Sequence, residues 1–211
     1  MCRYDRPSDR SESPSHSGPH WRRFRASLRN TRPSGVGVAR RVGSTESVGQ
    51  LRSGFLSWDV HLQKFDRQAE ATFDLGAARR LLGRTSGFCE VEPGVGEVED
   101  DGYAEVYYGV EPSSDVMVAA RGSSSGVIRL ICELAAELRM AVFFPTETDW
   151  GVAVLGVSQV DDLPDRSWEG WENFGEGFRP PTPVVCDGLE DLAAVLRSSY
   201  DHWQTWAYGH E

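Results

Sequence analysis

The formal charge of this 211-residue chain changes sign near residue 55, and this change is the strongest constraint on its fold. Residues 1–54 hold 11 arginines, no lysine and four acids, a charge of +7, together with ten serines and four prolines. The remaining residues hold 11 basic and 28 acidic side chains, a charge of −17. A segment with so few large apolar side chains cannot offset the conformational entropy lost on folding. The sequence therefore predicts a disordered tail over residues 1–55 and one folded domain over residues 56–211.

Three interpretations of the tail are open at this level. Its arginine- and serine-rich, acid-poor composition is typical of a targeting peptide, but no apolar segment follows Arg22-Arg23-Phe24-Arg25, as an export signal requires. The tail could also be a basic arm for nucleic acid or for the acidic domain itself. We favour a third interpretation, a misplaced gene start, because Leu56-Ser57-Trp58-Asp59-Val60 reads like the beginning of a protein.

Hydrophobic periodicity predicts an α+β domain. Residues 57–65 alternate between apolar and polar side chains, as half-buried strands do. Residues 127–140 repeat apolar side chains at helical spacing. Strand pairs joined by short turns, mixed with few helices, favour an antiparallel or mixed sheet with the helices packed on one face. We predict five to six strands and two to three helices: strands at 57–65, 88–91, 103–108, 116–121, 141–144 and 152–157, and helices at 75–82, 127–140 and 189–206.

Gly122-Ser123-Ser124-Ser125-Gly126 matches the G-x-S-x-G pattern between a predicted strand and a predicted helix. In hydrolases this turn exposes the serine hydroxyl, which a later histidine and acid activate. Here Ser124 would be the nucleophile, His202 the base and an aspartate such as Asp187 the acid. However, the parallel βαβ pattern that precedes such a serine is missing, and serines between glycines are also typical of a helix-capping turn. A small serine hydrolase is the alternative function.

The same serine-rich turn is also a weak candidate for anion binding. Backbone N–H groups at a helix start favour phosphate or carboxylate, and Ser123, Ser124 and Ser125 lie close to Arg121 in the sequence. The chain has no G-K-[ST] ending, so the turn is not a P-loop. Histidines, cysteines and acids form no set of three or four with recognisable ligand spacing. The sequence therefore predicts no metal site and no cofactor.

The segment 161–183 sets four large aromatic residues among glycines and acids without a clean period. One interpretation is that these rings fix a long loop to the core. Another is a surface for a protein partner, because aromatic side chains anchor interfaces and acids steer a basic partner towards them. Stacking on a sugar is a third. The predicted partner-binding residues are Trp168, Trp171, Glu172, Phe174, Glu176 and Phe178.

Two resemblances bear on function. Ser57-Trp58-Asp59-Val60 with its polar first strand, and Gly126-Val127-Ile128-Arg129-Leu130 followed by Glu133-Leu134-Ala135, resemble small uncharacterised actinobacterial proteins over about residues 57–163. That resemblance implies no activity. In size, acidity and tryptophan content, the domain is also similar to the immunity proteins of bacterial toxin systems. This compositional likeness implies a protein that binds a partner and catalyses no reaction.

The charge and the apolar runs exclude some classes of partner. A domain of charge −17 repels the phosphates of nucleic acids and attracts cationic partners. No run approaches the ~20 apolar residues of a membrane span. Cys89, Cys132 and Cys186 lack paired spacing, which favours buried free thiols in a reducing compartment and leaves a disulfide among them open. We therefore expect a cytoplasmic, non-enzymatic domain that binds a basic protein.

Overall fold

The computed structural model describes residues 57–122, 124–146, 150–174, 178 and 180–208, apart from the side chains of 172–174 and 208. The predicted tail, 1–55, lies outside the described residues. Within them the chain is α+β, as predicted, and the sheet is mostly antiparallel. The elements in chain order are β1 (Trp58–Gln63), β2 (Phe65–Asp66), β3 (Ala69–Glu70), α1 (Leu75–Leu82), β4 (Phe88–Glu92), β5 (Val95–Glu99), β6 (Tyr103–Tyr107), β7 (Asp115–Ala120), α2 (Ser125–Leu138), β8 (Ala141–Pro145), β9 (Trp150–Leu155), β10 (Val184–Cys186) and α3 (Leu189–Tyr208).

Eight of these strands form one sheet in the order β10-β9-β8-β1-β7-β6-β5-β4, and β2 with β3 forms a small separate ribbon. All neighbours in the large sheet are antiparallel except β10, which runs parallel to β9. The first strand lies inside the sheet, paired with β7 from Trp58↔Ala120 to Gln63↔Asp115 and with β8 on its other side. Because β1 is hydrogen-bonded to a neighbouring strand on each side, it is an interior strand of the sheet.

The prediction of five to six strands was too low, because two strands of the large sheet and the small ribbon were not anticipated. Residues 97–101 are rich in acids, which are depleted in strands, yet Val95–Glu99 pairs with β4 and β6. Pro93 and Gly94 make the tight turn between β4 and β5. Gly94 has φ +81°, and a Cβ there would meet the backbone of Gly109 at 2.6 Å. The other strand, β10, has three residues and pairs only with distant β9.

One face of the sheet packs against all three helices and forms the main core. From β1, Trp58, Val60 and Leu62 point to this face. Alternate side chains along a strand point to opposite faces of the sheet, so the intervening residues of β1 lie on the other, outer face. The Lys64 ammonium donates a hydrogen bond to the Leu138 carbonyl (2.9 Å) and so closes the end of α2.

A second apolar cluster lies on the outer face over β8 and β9. Phe143 and Val152 belong to these strands, and Trp171 from the following segment packs onto them. Cys132 and Cys186 are buried free thiols, whereas Cys89, predicted to be buried, is exposed because β4 is an edge strand. No helix in the described ranges is long and apolar enough to cross a membrane.

Candidate functional site

The outer face of β1, β7, β6 and β5 carries a line of acids, which we call the acidic row: Asp59, Glu105 and Glu97. Strand register places these three side chains side by side, because Asp59 is opposite Ala119, Ala119 is opposite Glu105, and Glu105 is opposite Glu97. Residues directly opposite on neighbouring strands share a face and have Cβ atoms about 5 Å apart. Ala119 is therefore the small residue that separates Asp59 from the other two carboxylates.

Three donors converge on the Glu105 carboxylate. The Tyr107 hydroxyl lies 2.7 Å from Oε2, and the Arg121 guanidinium lies 3.3 Å from Oε1. The Tyr103 hydroxyl lies 3.2 Å from Glu105 Oε1 and 2.9 Å from Glu97 Oε1, so its single proton serves one of them at a time. Arg121 also lies 5.5 Å from the centre of the Tyr103 ring, within reach of a cation–π contact. We call the acidic row together with Tyr103, Tyr107 and Arg121 the acidic face.

Burial and neighbouring acids keep the tyrosines of the acidic face neutral. Burial, with hydrogen bonding to Glu105, raises the pKa of Tyr107 to about 12. Burial and the hydrogen bond to Glu97 likewise raise the pKa of Tyr103. Neutral phenols can donate to carboxylates and present flat rings to a partner. Glu105 is about a quarter exposed and Arg121 nearly half exposed, so the row is accessible from solvent.

Asp59 differs from the other acids of the row. Burial raises its pKa, and Glu105 adds to this rise, while the Ser57 hydroxyl and Arg121 act against it. Its Oδ1 atom is buried and has no hydrogen-bond partner among the described residues. A buried acceptor without a donor costs free energy, so Oδ1 is a local cost to the stability of the fold.

His61 lies next on the same face of β1 and connects the acidic face to the aromatic cluster over β8 and β9. It is opposite Met117 on β7 and Phe143 on β8, and its ring is 5.4 Å from the Trp150 ring in an edge-on arrangement. Burial lowers the pKa of His61 to about 4, so the imidazole is neutral at physiological pH. The outer face therefore passes from acidic to aromatic across His61.

Ser124, the predicted nucleophile, is the N-cap of α2. Its Oγ accepts a hydrogen bond from the Val127 N–H (3.0 Å), and only 5% of the residue is exposed. Asp101 accepts hydrogen bonds from Ser125 Oγ (2.7 Å) and Gly126 N–H (3.3 Å). The Ser124 hydroxyl also donates to Asp101. The bonds from the Ser125 and Ser124 hydroxyls, followed by the bond from the Gly126 N–H, lower the pKa of Asp101. The chain's own carboxylate thus occupies the helix start that was predicted to bind an anion.

The other predicted catalytic residues are exposed and belong to or precede α3. The Ser124 side chain accepts from the Val127 N–H and donates to Asp101, and among the described residues these hydrogen bonds connect it to neither His202 nor Asp187. Ser123 lies outside the described residues. The hydrolase hypothesis stays a prediction, and the capping role of Ser124 gives a structural reason for a serine at this position.

Replacing Ser124 with alanine is expected to lower the free energy of unfolding by about 1 kcal/mol, because an N-cap side chain is lost. Chemical denaturation of the full chain measures this. Ser198→Ala, at an exposed position of α3, is the control and should leave stability within about 0.5 kcal/mol. Equal stabilities for the Ser124 variant and the wild type would contradict the capping role.

The predicted partner-binding loop is attached to the sheet through Trp171. This residue is 3% exposed, and its indole N–H donates to the Asp165 carbonyl (2.7 Å). The Trp168 ring lies 4.9 Å from Trp171, and the Phe178 ring lies 5.9 Å from it. Trp171 therefore fixes the loop to β8 and β9, while Trp168 and Phe178 keep partly exposed rings. The side chains of Glu172, Phe174 and Glu176 lie outside the described residues.

No group of three or more histidine, cysteine and acidic side chains is placed to hold a metal ion within the described part of the chain. No protein-family model matches the chain, and neither the curated proteins nor the solved structures contain a significant match. The acidic face was not assigned a role from the sequence. Its signal was the alternation of Tyr103, Glu105 and Tyr107 along β6, which places aromatic and acidic groups on one face.

Proposed function

We propose that this domain binds a basic protein through the acidic face, in the manner of an immunity protein that recognises its toxin. The observation that supports this proposal most directly is the acidic row, with Glu105 held by two tyrosine hydroxyls and one guanidinium. A carboxylate whose orientation is already fixed loses little freedom when it pairs with a cation, and this preorganisation favours affinity. The resemblance in size, acidity and tryptophan content suggests the immunity class.

Charge and composition of the surface support a protein partner. The −17 charge of residues 55–211 attracts a basic molecule and accelerates its encounter with the domain. Tyrosine is enriched in protein interfaces, because its ring buries apolar area while its hydroxyl stays hydrogen-bonded. The acidic face offers Tyr103 and Tyr107 in this state. The arrangement is therefore suited to cationic side chains surrounded by apolar contact area.

The loop predicted to bind the partner lies on the same side of the sheet as the acidic face. Phe143, which packs against Trp171, is opposite His61 in the strand register, and His61 shares its face with Asp59. The partly exposed rings of Trp168 and Phe178 can therefore belong to the same interface. We propose that the acids select a basic partner and that the aromatic rings extend the contact area.

A labelled octa-arginine peptide tests the proposal by fluorescence anisotropy with the full chain. The double variant Glu97→Gln/Glu105→Gln removes two charges from the acidic face. The matched control, Glu133→Gln/Glu137→Gln, removes two charges from α2 on the other side of the sheet. We expect the first variant to bind at least about tenfold more weakly than the second, a difference of about 1.4 kcal/mol. Equal weakening would show that only net charge matters and would contradict the proposal.

The hydrolase alternative makes a different prediction for a fluorophosphonate probe. Because the Ser124 hydroxyl is buried and engaged in capping α2, we expect no covalent labelling of the wild-type chain. Intact-protein mass spectrometry measures the labelling. Labelling of the wild type that disappears in Ser124→Ala would support the hydrolase and contradict the expected result.

A further inference from the structure

We propose that the outer edge of β10 accepts one short strand of a partner protein, with apolar residues in the centre of that strand and basic residues at its ends. This surface is separate from the acidic face, and the inference does not rest on the proposed function. Among the described residues β10 pairs only with β9, so it is an edge strand of the large sheet. An edge strand offers unpaired backbone groups, to which an extended peptide can add as a further strand.

The backbone of Val185 supplies the hydrogen-bonding groups of this edge. The Cys186 carbonyl accepts a hydrogen bond from the Gly156 N–H (3.0 Å), so it points towards β9. Backbone groups of successive strand residues point to opposite sides, hence the N–H and the carbonyl of Val185 point away from β9. In agreement with this alternation, the Asp187 N–H is bonded to the Asp191 carboxylate (3.1 Å) and not to β9. Val185 can therefore exchange two hydrogen bonds with one residue of an added antiparallel strand.

Exposed apolar side chains are concentrated at this edge. Val184 is 45% exposed and Val185 41%, and they lie on opposite faces of the sheet. Val157, two residues after β9, and Leu189, at the start of α3, are also exposed. These four make up most of the seven large apolar side chains that are exposed in the described part of the chain. Such a concentration is typical of a protein-binding surface.

The opposite edge of the sheet is protected against the addition of a strand. Its strand, β4, carries Glu90 and Glu92, and its pairing with β5 shifts register between these two residues. Charged side chains and bulges both prevent a further strand from adding to an edge. The β10 strand has neither, but it has three residues and follows Pro183, which has no N–H. The β10 edge therefore suits a short strand.

The charge around β10 defines the chemistry of the partner. Residues 180–196 contain three exposed acids, Asp187, Glu190 and Asp191, and no basic residue. Basic residues at the ends of the added strand can pair with these acids, while its apolar centre covers Val184 and Val185. A second copy of this chain would bring the same acids and the −17 charge of residues 55–211, so the two copies would repel each other. The added strand therefore belongs to a basic protein.

Binding of the labelled hexapeptide KTVVTK to the full chain tests this edge by fluorescence anisotropy. We expect Val185→Pro to weaken binding at least about fivefold, the effect of one lost hydrogen bond. Proline is tolerated where the N–H faces away from the sheet, so this variant should fold. Val185→Ile, which keeps the N–H and an apolar side chain, is the matched control and should bind as the wild type does.

Two further peptides leave the protein unchanged. N-methylation of both valines removes the donors of the peptide, and KTSSTK keeps the charge but lacks the apolar centre. We expect each to bind at least about fivefold more weakly than KTVVTK. The N-methylated peptide decides the matter if melting curves show that Val185→Pro is unfolded.

The outcomes separate the β10 edge from other occupants and from the acidic face. The proposal is wrong if KTVVTK does not bind the wild type, or if the N-methylated peptide or KTSSTK binds equally well. Sedimentation of the wild type as a dimer that Val185→Pro dissociates would assign the edge to a second copy and overturn the basic partner. Glu97→Gln/Glu105→Gln and Glu133→Gln/Glu137→Gln should bind KTVVTK equally. A larger loss for the first variant would place the peptide on the acidic face and refute the edge, whereas the proposed function is tested separately with octa-arginine.

Discussion

Replacing Trp58 with alanine is expected to lower the free energy of unfolding by about 3–5 kcal/mol. Trp58 is fully buried at the start of β1, a strand inside the large sheet, and its ring packs edge-on against Tyr200 of α3 (5.4 Å between ring centres). Truncation to a methyl group removes the largest fully buried side chain of the main core and leaves a cavity between the sheet and α3. Equilibrium denaturation in urea or guanidinium chloride measures the loss.

Two further variants make the Trp58 measurement specific. Trp206→Ala removes a tryptophan of α3 that is 46% exposed, and we expect it to cost less than about 1 kcal/mol. Trp58→Phe retains most of the ring volume and removes an indole N–H that is buried without a hydrogen-bond partner among the described residues, so it should cost less than Trp58→Ala. A loss for Trp58→Ala no larger than that for Trp206→Ala would contradict the position of β1 in the core.

Lowering the pH from 6.5 to 4 is expected to destabilise the domain by up to about 3 kcal/mol through His61 alone. Burial lowers the pKa of His61 to about 4, from an ordinary value of 6.5. In this interval the unfolded chain binds the proton and the folded chain does not, so protons favour unfolding. As far as His61 is concerned, the free energy of unfolding therefore has its full value above about pH 6.5 and decreases progressively as the pH falls to about 4.

His61→Gln isolates this effect from the carboxylates that also titrate in acid. Asp74 and Asp101 have lowered pKa values because they accept hydrogen bonds at helix starts, and they contribute equally in the wild type and in the variant. The difference in the free energy of unfolding between the two proteins should therefore change by about 3 kcal/mol between pH 7 and pH 4. His202→Gln, at an exposed position, is the control. A pH-independent difference for His61→Gln would refute the prediction.

Local periodicity predicted the elements with strong patterns. Helix α1 matches the predicted bounds, since Asp74 caps its start and Gly83 follows its end. Helices α2 and α3 lie within two residues of the predicted limits. The strands that were missed have weak local signals. One is acidic and contains a glycine, and β10 has three residues that pair with a strand about 30 positions earlier.

The site was only partly accessible from the sequence. The pattern around Ser124 indicated both a nucleophile and a helix cap, and the structure shows the cap. The aromatic segment indicated either attachment to the core or a binding surface, and Trp171 is attached. The acidic row was not predicted, because Asp59, Glu97 and Glu105 come from three strands and are separated along the chain by 38 and 8 positions.

The sequence by itself determined the properties that depend on neighbouring residues: the change of charge near residue 55, the α+β class, the limits of the helices and the serine cap of α2. The tertiary structure decided which strands are adjacent and therefore which side chains meet. Alternation along a strand defines two faces, but only pairing across β1, β7, β6 and β5 aligns the acids and leaves Ala119 between two of them. That pairing depends on contacts between distant residues, so the acidic face follows from the fold rather than from any local pattern.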